Sequence, residues 1–144
     1  MRTISINCRL NPTRIHGTPT FTAGGNKRYA TFRRSQDRAQ PAGTAVFLNE
    51  RSDGINDGGF GVDPSNPATR DGTVPRDPYW VLGYPAGYHH GTAEVSFADG
   101  HVEAHRWLEP TTLVPLGRAK PGSDTSPTNR DVRWLQDHRT CLRP

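Results

Sequence analysis

The sequence predicts an α+β fold that is mainly β: a small antiparallel sheet of about four strands, long irregular loops and a short C-terminal helix. Three observations support this prediction. The chain has 144 residues, which fits one domain. Only 32% of its residues are hydrophobic, and it contains 15 Gly and 13 Pro, which favour turns and irregular segments. The apolar residues occur in short β-branched or aromatic runs separated by Gly-containing turns, a pattern typical of strands.

The single domain, 1–144, divides into three predicted parts. Residues 1–42 form a loop-rich N-terminal part, because Pro, Gly, Asn and Thr occupy nearly every turn position after residue 10. Residues 43–108 form the sheet core, and residues 109–144 form a loop followed by the helix. The first two core strands are TAVFLNE at 44–50 and GFGVD at 59–63.

The other two core strands form a predicted hairpin, with 92–98 and 101–107 on either side of Asp99-Gly100. An Asp-Gly pair between apolar runs favours a two-residue turn. This turn pairs Phe97 with Val102 and predicts that both are buried.

With the same register, the polar residues of the second strand lie on the opposite side of the sheet from Phe97. Since side chains alternate between faces, His101, Glu103 and His105 share that polar face, where Glu94 lies opposite His105.

The tail PGSDTSPTNRDVRWLQDHR, residues 121–139, is predicted to be a linker followed by one or two helical turns. Ser126 and Asn129 are the candidate N-caps, because their short polar side chains can accept from the first helical amides. Val132 and Leu135 would anchor the helix on the sheet.

The charge and hydropathy of the chain indicate which classes of binding partner to expect. The net charge is +4, but the basic residues are scattered and lack an aromatic-basic pattern, so we expect no nucleic-acid binding. No run of about 18 apolar residues and no signal-peptide core occur, so we expect no membrane insertion and a soluble, cytoplasmic chain as written. Cys8 and Cys141 could form one disulfide in an oxidising compartment or remain two thiols.

One block of the sequence resembles a known family. His89 is followed by nine residues and then Asp99-Gly100, within YPAGYHHGTAEVSFADGHVEAHRW. This block resembles the prepilin-type processing-associated H-X9-DG domain of type II secretion pseudopilin-like proteins. AVFLNERSDGINDGGFGV, SINCRL and DVRWLQDH resemble further parts of that family, and the likeness covers roughly 100 residues.

The resemblance implies a helix-on-sheet fold, a calcium-holding loop and a mechanical role in a secretion filament. The family's leader and long hydrophobic assembly helix have no counterpart in this sequence, which leaves a sheet face to be covered. Self-association through that face is one expectation. If the chain is part of a longer pseudopilin, we expect a periplasmic or cell-envelope location.

Calcium is the predicted cofactor. The turn after the first core strand supplies oxygen ligands of the kind that calcium binds, and the hairpin tip adds a carboxylate. The predicted metal ligands are Glu50, Asp53, Asn56, Asp57 and Asp99. The spacing is not that of an EF-hand, and an ordinary Asp-Gly turn is the alternative interpretation.

A metal-dependent hydrolase is the alternative function. A bound cation would activate a water, and His89 and His101 are the candidate catalytic residues that move protons. The substrate would be a small ester or lactone, for example a homoserine lactone, as in quorum quenching. No Gly-x-Ser-x-Gly motif supports a serine hydrolase.

Overall fold

The computed structural model of the chain describes residues 4–8, 10, 32, 34, 40–54, 58–62, 80–118 and 129–139. Within these ranges it confirms an α+β fold that is mainly β. The elements are β1 (Ile4–Asn7), a 3-10 turn (Pro41–Gly43), β2 (Ala45–Asn49), β3 (Gly59–Val62), β4 (Trp80–Leu82), β5 (Thr92–Phe97), β6 (Val102–Arg106) and α1 (Arg130–Arg139).

The strands form one sheet in the order β4-β3-β1-β2-β5-β6. β1 and β3 are parallel, and all other neighbours are antiparallel. The part of the chain that the structure describes thus contains six strands where about four were predicted, and the β1–β3 pair makes the sheet mixed instead of purely antiparallel. β1 lies in the part predicted as loop-rich, 1–42, and β4 lies in a stretch that also reads as loop.

β1 was not predicted as a strand because its apolar side chains face solvent and its polar side chains face the core. Ile4 and Ile6 are exposed, whereas Ser5 and Asn7 are buried. The buried polar side chains have partners: the Ser5 hydroxyl donates to the Glu50 carboxylate, and Asn7 Nδ2 donates to the Ala45 carbonyl at 2.8 Å. A strand with polar residues facing the core is stable when those groups are hydrogen-bonded.

α1 covers one side of the sheet, which we call the inner face; the uncovered side is the outer face. Val132 and Leu135 are fully buried in the core, as predicted. Asn129 caps the helix, because its Oδ1 accepts from the Val132 amide at 2.9 Å. The other candidate cap, Ser126, lies outside the described residues.

The hairpin register differs from the prediction by one residue. Ser96 pairs with Val102 and Val95 pairs with Glu103, so the predicted Phe97–Val102 pair is wrong. The loop has three residues, 98–100, because the Phe97 amide donates to the His101 carbonyl at 2.9 Å. A shift of one residue turns every β6 side chain to the other face.

The predicted faces are consequently exchanged along β6. Val102 is 63% exposed on the outer face. His105 lies opposite Ala93, on the inner face, and the predicted Glu94–His105 pair does not form, since Glu94 pairs with Ala104.

Burial of Trp107 explains the observed register. Trp107 is 2% exposed, and its Nε1 donates to the Ala86 carbonyl at 2.9 Å. Burying a Trp removes roughly 150–250 Å² from water, worth about 4–6 kcal/mol, whereas burying a Val is worth about 1.5–3 kcal/mol. The register that buries Trp107 is therefore more stable than the one that buries Val102. The same register places His105 on the inner face.

The structure also bears on the predicted cysteine pair and on membrane insertion. Cys8 is half-buried directly after β1, and Cys141 lies outside the described residues, so their pairing stays a prediction. Among the described helices, none has the length and apolar character needed to cross a bilayer.

Candidate functional site

Three histidines and three large aromatic side chains meet between the inner face and α1; we call this group the inner cluster. Its members are Phe97, His101, His105, Trp107, Trp134 and His138. The Trp134 indole stacks on two imidazoles, with ring centroids 3.7 Å from His105 and 4.1 Å from His138. The His101 ring lies flat on Phe97, with centroids 4.2 Å apart and an interplanar angle of 6°.

Each histidine of the inner cluster has a different polar neighbour at Nδ1. His101 Nδ1 lies 2.6 Å from Asp99 Oδ1, His105 Nδ1 lies 3.7 Å from Glu103 Oε1, and His138 Nδ1 lies 2.7 Å from the Trp134 carbonyl. The imidazoles are thus oriented separately by local partners.

Burial sets the electrostatics of His105. Its desolvation lowers the pKa of the imidazole, and the nearby carboxylates of Glu103 and Asp131 oppose that effect without cancelling it. His138 adds to the lowering. The pKa of Asp99 is lowered by hydrogen bonds from the His101 amide and side chain.

The rings of the inner cluster pack α1 against the sheet. Within the part of the chain that the structure describes, no group of three His, Cys, Asp or Glu residues has the arrangement of a metal site. The stacked rings instead give α1 a flat aromatic surface on which to dock.

The two predicted catalytic histidines do not share a site. His89 is exposed and lies before Thr92, the first residue of β5, whereas His101 follows the other end of that strand. The six extended residues of β5 lie between the two histidines and span roughly 20 Å. This distance is too great for both side chains to act on one small ester, because an acid–base group must lie within hydrogen-bond reach of the reacting atoms.

The described calcium ligands do not converge either. Glu50 is fully buried on the inner face, where it accepts from Ser5. Asp99 lies at the exposed hairpin tip and contacts His101. Asp53 forms a two-pronged ion pair with Arg51.

The remaining two predicted ligands, Asn56 and Asp57, lie outside the described residues. Calcium requires six to eight oxygens around one point. Glu50 and Asp53 belong to the same turn region but contact different partners, Ser5 and Arg51, whereas Asp99 lies at the hairpin tip beside His101. Calcium binding stays a prediction that depends on Asn56 and Asp57.

Sequence reasoning missed Arg51, which is 4% exposed. A fully buried Arg is rare unless its charge is paired. The signal in the sequence was weak: an Arg two residues before an Asp in a turn is a common surface pattern. Only the contacts of Arg51 with the carbonyls of Val114 and Pro115 distinguish it from an ordinary surface arginine.

The outer face is the second candidate site. Ile6, Phe47, Ser96 and Val102 are consecutive cross-strand neighbours on β1, β2, β5 and β6. Ile6, Phe47 and Val102 are 41%, 45% and 63% exposed, and Ile4 beside them is 52% exposed. Ile4, Phe47 and Val102 line a shallow groove of about 370 Å³. The row is therefore continuous across four strands, apolar except at Ser96 on β5, and uncovered by any described element.

The outer face also has a polar border. Asn49 Nδ2 lies 3.4 Å from Glu94 Oε2 in the next cross-strand row. An apolar centre with a polar edge is the usual anatomy of a protein interface.

Comparison with known proteins adds no relative: no protein-family model, curated protein or solved structure matches this chain.

Proposed function

We propose that this domain is a pseudopilin-like structural module that packs an apolar α-helix against its outer face. One observation carries the proposal. The inner face is closed by α1, while the opposite side of the same sheet presents exposed apolar side chains on β1, β2 and β6, in one cross-strand row with Ser96 of β5. Exposed apolar residues grouped in this way mark an interaction surface more often than isolated ones do.

The dimensions of the outer face favour a helix as the occupant. The row extends over four strands, and neighbouring strands lie about 4.8 Å apart, so it is roughly 14 Å wide. An α-helix with its side chains is about 10–12 Å in diameter. The groove is thus wide enough for one helix, and its polar border at Asn49 and Glu94 limits the apolar strip.

The resemblance of residues 84–107 to the H-X9-DG block supports the same function. In that family an apolar helix packs on a small sheet and the subunits assemble mechanically. The alternative, a hydrolase with His89 and His101, has no shared site among the described residues. We therefore propose the structural role.

A binding measurement tests this proposal. The 144-residue chain is titrated with a fluorescently labelled, 20-residue helical peptide of Leu and Ala with Lys at both ends, and anisotropy is recorded. Phe47→Lys places a charge at the centre of the outer face and should weaken binding at least tenfold. Leu116→Lys is the matched control, because Leu116 is 61% exposed in a loop away from this row.

Sedimentation velocity on the same samples distinguishes a second copy of the chain as the occupant. If the wild type ignores the peptide and instead dimerises in a manner that Phe47→Lys abolishes, the helix proposal is wrong. Equal weakening by both variants would also contradict it, because the effect would then come from added charge in general.

A further inference from the structure

The Arg51 side chain joins two segments that are distant in the sequence. Its Nε and Nη2 atoms donate to the two carboxylate oxygens of Asp53, at 2.9 and 2.8 Å. Nη1 donates to the Val114 carbonyl, and Nη2 also donates to the Pro115 carbonyl at 2.9 Å. The guanidinium is thus surrounded by four oxygens, two from a carboxylate and two from the backbone.

The Asp53 carboxylate also joins the 51–54 turn to the 112–118 loop. Its Oδ2 accepts from the Gly117 amide as well as from Arg51. The hydrogen bonds from Arg51 are the main reason why the pKa of this carboxyl lies below its usual range. The turn at 51–54 and the loop at 112–118 are therefore held together by one buried positive charge and one carboxylate.

These four oxygens belong to the types that bind hard cations. Carboxylate and backbone carbonyl oxygens are the usual calcium ligands in proteins. Here, however, the positive charge at their centre is supplied by the chain itself. A divalent ion in contact with Asp53 would lie beside the guanidinium and be repelled by it.

We propose that the Arg51 guanidinium is the resident cation of this site and replaces a metal ion in fixing the 112–118 loop. Asp53 is then a structural partner of Arg51 and not a calcium ligand. The oxygens around Arg51 form a latent cation site, in which water would complete the coordination shell of a calcium ion once the guanidinium is removed. This inference is independent of the proposed role of the outer face.

Thermal unfolding of four proteins in excess calcium and in chelator tests the proposal. The proteins are the wild type, Asp53→Asn, Arg51→Ser, and the double variant with both changes. The wild type and Asp53→Asn should show the same calcium-induced shift in melting temperature, whatever other residues contribute to it. Removing the buried guanidinium should lower the melting temperature of Arg51→Ser in chelator by roughly 10 °C.

The two Arg51→Ser proteins supply the second comparison. Calcium should restore part of the lost stability in Arg51→Ser, because Asp53, Val114 and Pro115 then offer their oxygens to the ion. That recovery should disappear in the double variant, which lacks the Asp53 charge. Calorimetric titration with calcium should give one additional site in Arg51→Ser relative to the wild type.

Two results would overturn the proposal. One is a wild-type calcium shift that Asp53→Asn abolishes, since calcium would then bind Asp53 with Arg51 in place. The other is a folded Arg51→Ser protein with no added calcium response. If Arg51→Ser does not fold, Arg51→Lys keeps the charge and should be as insensitive to Asp53-linked calcium as the wild type; a calcium shift beyond that of the wild type would contradict the inference.

Discussion

The His105 imidazole stacks on the Trp134 indole, with ring centroids 3.7 Å apart and an interplanar angle of 22°. This contact joins the edge strand β6 to α1. It exists because the hairpin register places His105 on the inner face, and it buries a titratable group in the interface that holds the helix. The stability of that interface is therefore linked to pH.

We expect acidification below about pH 6.5 to destabilise the fold. Burial lowers the pKa of His105 in the folded protein below its ordinary value of 6.5. Below that pH the unfolded chain binds more protons than the folded one, so the free energy of unfolding falls as the pH falls. Urea unfolding at several pH values between 8 and 5 measures this slope.

The variant His105→Phe keeps an aromatic ring at the contact but cannot titrate, so it should flatten the slope between pH 6.5 and 5. His89→Phe is the control, because His89 is exposed in a loop. The carboxyls of Asp53, Asp99 and Glu109 have lowered pKa values and titrate below this window. A slope that survives in His105→Phe would place its origin elsewhere.

Asp131→Asn should destabilise the protein by about 1–3 kcal/mol. The Asp131 carboxylate is buried in the first turn of α1 and accepts from the Leu108 and Glu109 amides at 3.0–3.1 Å. It thereby fixes the chain that leaves β6 against the helix. Asp137→Asn, at an exposed position on the same helix, should change stability by less than about 0.5 kcal/mol. Equal effects of the two changes in urea unfolding would disprove the role of Asp131.

Gly100→Ala should cost about 1–2 kcal/mol, because Gly100 has a φ of 99° in the left-handed region. The space around it is open, with no atom within 4 Å of an added Cβ, so the cost is purely one of backbone conformation. Gly43→Ala is a suitable control: its added Cβ would make only ordinary contacts with Gln40. Differential scanning calorimetry of both variants measures the difference, and an unaffected Gly100→Ala would contradict the three-residue loop.

His90→Asn should stabilise the protein by about 0.5–1 kcal/mol, part of the usual cost of a left-handed residue. Among the described residues, His90 alone has a positive φ without being Gly, at 54°. With Gly91 at 82° it forms the centre of a tight turn, closed by the Thr92 amide donating to the His89 carbonyl at 3.1 Å. Asn tolerates this conformation better than His. His89→Asn serves as the reference and should be neutral; a loss of melting temperature in His90→Asn would refute the argument.

Most of the local elements follow from short patterns in the sequence. β2, β3, β5 and β6 were predicted close to their observed bounds, because apolar alternation and Gly-containing turns act over a few residues. The helix was predicted in the right part of the chain but as one or two turns, shorter than the 10 residues of α1. Asn129, Val132 and Leu135 have the roles that the helix pattern indicated.

The way in which those elements combine depends on contacts between residues that are distant in the sequence. The hairpin register depends on burying Trp107 against the Ala86 carbonyl, a contact with another part of the chain. β1 joins the sheet with its polar residues inward because Glu50 and Ala45, some 40 positions later, complete their hydrogen bonds. Arg51 is buried because the 112–118 loop brings two carbonyls to it. In each case the deciding energy comes from residues that are distant in the sequence, where local propensity carries no information about the partner.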